Sequence, residues 1–143
     1  MRVARLLFLL VFTSGFLTAI TVACQPSTTG VAPRIGLETN LLELGQIPNG
    51  EIADVDVIVS NDGDSPLVIE SVTTTCGCTT ARLNPMTIAP GGTGTLDISF
   101  DSGAHGPDLR GEIMRQVIVT SNDLVQPKVV VDLRATIVGP VEP

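Results

Sequence analysis

The chain has 143 residues, with 8 basic and 15 acidic side chains and a formal net charge of −7. That length supports one domain, and an acidic chain without a basic cluster argues against nucleic acid and against electrostatic binding to an anionic membrane. Four Phe and no Trp or Tyr leave no aromatic platform for sugars or bases, so the core must be built from Val, Ile and Leu.

The amino terminus reads as an export signal. Arg2 and Arg5 precede the apolar run Leu6-Leu7-Phe8-Leu9-Leu10-Val11-Phe12, and Ala23 supplies a small residue at the expected cleavage point. Thr13, Ser14 and Gly15 interrupt the run, which makes it a poor membrane span. Cys24 comes next. An apolar signal ending in a small residue and then cysteine resembles the bacterial lipoprotein signal. The resemblance implies diacylation of the Cys24 thiol, which would attach the chain to a membrane through lipid. Thr21 stands where that signal usually has Leu, and ordinary cleavage after Ala23 is the alternative.

Residues 25–33, with Pro26, Gly30 and Pro33, form a polar tether. Of three cysteines, setting Cys24 aside leaves an even pair. The expected division is a signal over residues 1–23, a tether over 24–34, a domain over 35–138 and a tail over 139–143. Without Arg2 and Arg5 the remainder carries 6 basic against 15 acidic residues, a net −9, and Phe100 is its sole aromatic.

Residues 35–47 open the domain as a broken edge strand, closed by the turn Pro48-Asn49-Gly50. Ala53, Val55, Val57 and Val59 then alternate with Asp54, Asp56, Ile58 and Ser60, the period of a strand with one buried face. The turn Asn61-Asp62-Gly63-Asp64-Ser65-Pro66 follows; its carboxylates lack the spacing and distal Glu of a calcium loop. Leu67 to Thr74 is a third strand, rich in β-branched residues, that runs into Cys76-Gly77-Cys78. Pro85 and Pro90 bracket a short segment around Met86-Thr87-Ile88. From Thr93 to Asp101 the pattern alternates again, with Leu96, Ile98 and Phe100 inward. A Gly-rich loop over residues 102–111 carries the only histidine, His105. Residues 112–120 form a strand with Ile113, Val117 and Val119 on one face, and the last strand places Val129, Val131, Leu133, Ala135 and Ile137 on another. No helical period persists beyond the signal. About seven short strands with turn signals every 8–12 residues predict an all-β, immunoglobulin-like sandwich of antiparallel strands.

Cys76 and Cys78 are the candidate redox or disulfide residues. In an extended strand residues i and i+2 share a face, so the two sulfurs could together chelate a soft metal. A bend at Gly77 could instead allow a disulfide. The ~6.5–7 Å between those Cα atoms in an ideal strand lies at the far edge of disulfide geometry, so the bridge would be strained and reducible. A third reading is structural: small buried hydrophobes or a local staple. The nearest cation in sequence is Arg82, and no general base stands beside the pair. A domain of about 100 residues needs no staple to build a core.

Pro66-Leu67-Val68-Ile69, Cys76-Gly77-Cys78-Thr79, Ile88-Ala89-Pro90-Gly91, Leu96-Asp97-Ile98-Ser99-Phe100-Asp101 and Val117-Ile118-Val119-Thr120-Ser121-Asn122-Asp123, in that order, resemble a bacterial exported family, the domain of unknown function 1573. It is similar to the immunoglobulin-like domains of Hydin and the major sperm protein. The resemblance covers residues 37–138. Thr75 stands where that family often has Ser, and the loop over residues 102–111 is longer than usual, so nothing carries over to His105. The resemblance implies the fold and an envelope location, and no activity, catalytic residue or cofactor.

The leading expectation is a non-catalytic, envelope-anchored module that binds an unknown envelope protein. One alternative is copper(I) binding by Cys76 and Cys78 with help from Met86, Met114 or His105. The other is thiol–disulfide exchange through a Cys76–Cys78 bridge.

Overall fold

The computed structural model describes residues 31–139. The export signal, Cys24 and most of the tether lie outside the described residues, as does the tail from Pro140. The described residues form nine strands and no helix: β1 (Ile35–Leu37), β2 (Leu41–Pro48), β3 (Ile52–Asn61), β4 (Leu67–Thr74), β5 (Thr79–Asn84), β6 (Thr87–Ile88), β7 (Thr93–Asp101), β8 (Gly111–Ser121) and β9 (Lys128–Val138). One sheet has the order β1-β3-β7-β5 and the other β2-β9-β8-β4-β6. Every pairing is antiparallel except β2 with β9. The immunoglobulin-like sandwich expected from the alternation is the fold observed.

Two residues decide where the first strand breaks. Glu38 donates its backbone N–H to Ile58 of β3, and Asn40 offers its carbonyl to Asp132 of β9. Within three residues the chain thus leaves one sheet and joins the other. The expected broken edge strand is two edge strands, one per sheet. In β2 the register slips between Glu43 and Gln46, and Gly45 there takes φ +71°, a conformation that favours a residue without Cβ.

The predicted inward rows are the core. Val57, Val59, Leu96, Ile98, Phe100, Val117, Val119, Val129, Val131, Leu133, Ala135 and Ile137 are all buried. Removing each large side chain of this set from water contributes about 1.5–3 kcal/mol. β5 was not foreseen. Of its six residues only Thr79 and Leu83 are buried, which leaves too little apolar alternation to announce a strand. It pairs with β7 from Thr79↔Phe100 to Asn84↔Thr95 and forms that sheet's outer edge.

Of the two conformations open to Cys76-Gly77-Cys78, extended or bent, the structure has the bent one. Residues 75–78 are a bend and turn, because β4 and β5 belong to different sheets and the chain must cross the end of the sandwich between them.

At the other end, Asp123 in the β8–β9 turn is 2% exposed. It accepts the backbone N–H of Ile35 at 2.9 Å, of Val125 at 2.8 Å and of Gln126 at 3.1 Å. Burial alone would raise its carboxyl, but these three N–H groups and the nearby Arg34 charge outweigh it and hold the group below its ordinary value. Asp123 therefore pins the first strand, and with it the point where the tether enters.

A depressed folded value gives stability that is complete above the unfolded value near ~3.9 and is lost as pH falls through the folded value. Asp123→Asn is expected to cost about 1–3 kcal/mol near neutral pH. In thermal melts the gap between wild type and variant should hold from about pH 6 to 5 and narrow as pH falls below ~3.9. A gap that does not change with pH would mean that the charge of Asp123 contributes nothing.

Candidate functional site

The crossing turn is fixed from both sheets. The Thr74 hydroxyl donates within 2.9 Å of the Thr79 carbonyl and 3.1 Å of the Cys76 carbonyl. Thr75 exchanges two bonds with Gln116 of β8: its backbone N–H donates to the Gln116 carbonyl at 3.1 Å, and its hydroxyl accepts the Gln116 N–H at 3.0 Å. The Asp101 N–H donates to the Cys78 carbonyl at 2.8 Å. Cys76 and Cys78 are joined as a disulfide with their Cα atoms 5.2 Å apart, inside the ordinary range for a bridge. Gly77 does not use a left-handed φ, and a Cβ there would meet nothing within 4 Å. The glycine leaves the turn open.

The two sulfurs differ in surroundings. Cys78 is 3% exposed and belongs to the core cluster, whereas Cys76 is half-buried at its margin. Arg115 Nε donates to Cys78 Sγ at 3.2 Å. His105 Nε2 lies 3.2 Å from Cys76 Sγ. Arg82, the nearest cation in sequence, instead sits opposite Asp97 on the edge strand. The expectation that no cation or base stands beside the pair is therefore corrected by two residues, one from β8 and one from the β7–β8 loop.

Arg115 had a signal in the sequence. It occupies the inward row of β8 between Ile113 and Val117, and a cation in an apolar row calls for a partner. His105 had none, because 29 residues separate it from Cys76. Its loop is braced from the β2–β3 turn. Asn49 Nδ2 donates to the carbonyls of Gly106 at 3.0 Å and Leu109 at 3.1 Å. The fully buried Ser102 hydroxyl accepts the N–H groups of Gly50 and Glu51, each at 3.0 Å. Gly103 N–H donates to Asp101 Oδ1 at 2.8 Å.

The two methionines do not join the cluster by position. Met114 is on the outer face of β8, next to the inward Arg115, and is 54% exposed. The Met86 carbonyl accepts from Ile69 in the other half of β4. Among the described residues the metal-capable side chains that converge are Cys76, Cys78 and His105, with ligand atoms all within 4.8 Å of one another. The disulfide closes a loop of sequence separation 2. By chain entropy such a loop contributes only about 1.6 kcal/mol, so stability alone is a weak reason for the bridge.

A family model described as protein of unknown function DUF1573 matches residues 35–137. No curated protein matches the chain. Among solved structures, a protein of unknown function from Porphyromonas gingivalis W83 is 26% identical with a TM-score of 0.65; the match covers 78% of this chain and 50% of that one. This chain thus spans half the length of that relative. The PapD-like domain 7 of human CEP192 is 13% identical with a TM-score of 0.59, over 86% of this chain and 98% of that one. The VesB protease of Vibrio cholerae is 11% identical with a TM-score of 0.55, over 72% of this chain and 31% of that one. The last two likenesses are of fold alone.

After reduction, Cys76 should alkylate at least ~10-fold faster than Cys78, because only an accessible thiolate reacts. Peptide mapping of an iodoacetamide time course reads both rates. Equal rates would show that the reduced turn does not keep Cys78 in the core.

Proposed function

The chain belongs to the DUF1573 family, and from that premise we propose that it is an envelope-tethered, non-catalytic immunoglobulin-like module that meets a protein partner with its Cys76-Gly77-Cys78 end. In this reading residues 1–23 direct export, Cys24 carries the lipid and residues 24–34 hold the domain off the membrane. One observation carries it: the tether's entry and the cysteine turn occupy opposite ends of the sandwich. At the entry, the carbonyls of Ala32 and Arg34 accept from Asp64 and Asp62 in the β3–β4 turn, and Ile35 is bound to Asp123. The cysteine turn lies beyond the far end of β4, whose eight residues span about 26 Å. A domain hung from the first end presents the second. The net charge of −9 without the signal fits attachment by lipid rather than by lipid-headgroup electrostatics.

The tether is tested in the native host by fractionation and labelling together. Cys24→Ser should move the protein from the membrane to the soluble fraction. In the wild type, Cys76 after mild reduction should be reached by a bulky, membrane-impermeant maleimide while the protein is still anchored. Retention of Cys24→Ser in the membrane, or a shielded Cys76, would overturn the reading.

A second reading, thiol–disulfide exchange at the same end, is favoured by the unequal surroundings of the sulfurs. A partner thiolate attacks the accessible Cys76 sulfur; the Cys76–Cys78 bond breaks and Cys78 leaves as a thiolate beside Arg115. A second partner thiolate attacks the mixed disulfide and releases Cys76. The partner dithiol is thereby oxidised to a disulfide, and the Cys76–Cys78 pair is reduced. Exchange is reversible: in Cys78→Ser the free Cys76 thiolate attacks an oxidised partner's disulfide, and one partner sulfur leaves as a thiolate. Without Cys78 to resolve the product, Cys76 should accumulate as a mixed disulfide with one protein on non-reducing gels. If the variant carries no protein adduct, exchange is excluded.

A further inference from the structure

We propose that the reduced Cys76–Cys78 pair and His105 form a three-coordinate site for copper(I), open only in the reduced protein. This goes beyond the module reading and does not depend on the tether.

The three ligand atoms already lie within 4.8 Å of one another. Bonds of ~2.3 Å to sulfur and ~2.0–2.1 Å to imidazole nitrogen let one ion bridge donors up to about 4.5 Å apart. On reduction the sulfurs must separate; Cys78 is held in the core cluster, so the half-buried Cys76 at its margin is the sulfur that moves. Cys78 approaches from the core side, Cys76 from the margin and His105 from the exposed loop. With its proton on Nδ1, His105 turns the Nε2 lone pair toward the sulfurs. Asn49, Ser102 and Asp101 brace that loop, so the imidazole is held near its place before any ion arrives.

Charge and coordination number choose the ion. Two thiolates, a neutral imidazole and a monovalent ion sum to one negative charge, and the Arg115 guanidinium on Cys78 Sγ balances it. A divalent ion on the same donors would leave the guanidinium uncompensated. Structural zinc also demands a fourth donor, and among the described residues no further Cys, His or carboxylate joins the group. Thiolate and imidazole donors are those that soft copper(I) selects.

Reduction gates the site. A dithiol reductant gives two electrons to the Cys76–Cys78 bond and becomes a disulfide, while the two cysteines take up two protons as thiols. Copper(I) then displaces both protons to solvent and bonds to both sulfurs. The disulfide form offers no thiolate and takes up no ion.

The test is anaerobic titration of the full chain in detergent with copper(I) against a colorimetric copper(I) chelator. Oxidised and dithiol-reduced samples are compared. The reduced protein should bind one ion per chain with thiolate-to-copper absorption in the near ultraviolet, and the oxidised protein none. Cys24→Ser should behave as the wild type, and Cys76→Ser should bind no ion. His105→Ala, at an exposed position, should weaken binding at least ~10-fold with an unchanged melting temperature. The proposal is overturned if reduced protein binds no more than oxidised protein, if binding survives Cys76→Ser, if His105→Ala changes nothing, or if equimolar zinc displaces the copper.

Discussion

A sandwich of two sheets shares one core only if the chain crosses between them, and the crossing from β4 to β5 is the constraint on which this site depends. It must bring an inward row of one sheet to an inward row of the other within four residues. Thr74 and Thr79 do so by hydrogen bonding across the turn, and Thr75 locks it to β8. The two cysteines fall inside the crossing. One is drawn into the core and the other left at its margin, so two chemically identical thiols acquire different surroundings from the geometry of a turn.

The same end of the sandwich gathers two other connections and the start of β8. The β2–β3 turn supports the β7–β8 loop through Asn49 and Ser102. The start of β8 sends Arg115 inward. A cation in an inward row is costly unless it finds an acceptor, and here Arg115 meets Cys78 sulfur and the Met114 carbonyl. No described buried side-chain polar atom lacks a partner. The site is thus assembled at the end of a rigid scaffold, where loops are free to vary without disturbing the rows beneath them.

The opposite end is organised around a single carboxylate. Asp123 answers three backbone N–H groups that no strand partner reaches. By binding Ile35 it ties the three-residue edge strand β1 to the β8–β9 turn. Asn61 acts beside it: its amide donates to the Ser65 and Ile88 carbonyls and its oxygen accepts from Gly63. Between the two ends the inward rows, from Val57 and Leu96 to Val119 and Val131, are aliphatic, and Phe100, opposite Thr79, lies toward the cysteine end.

The sequence by itself determined the fold class, because a period of two records which face of each strand is buried. Val57, Val59, Leu96, Ile98, Phe100 and the long row of β9 were all readable on that ground. It also singled out Cys76 and Cys78, since two thiols one residue apart have few uses. Tertiary structure alone decided which sheet each strand joins, because periodicity marks a buried face and not a partner. For that reason Thr79–Asn84 went unread as a strand, and the choice between an extended and a bent Cys76-Gly77-Cys78 stayed open. It alone decided the company of the cysteines too. Arg115 was visible only as an odd cation in an apolar row, and His105, 29 residues distant from Cys76, is brought to sulfur by a loop whose path is set by hydrogen bonds to Asn49 and Ser102. Such long-range contacts leave no local pattern, since they depend on how the sheets stack rather than on any spacing along the chain.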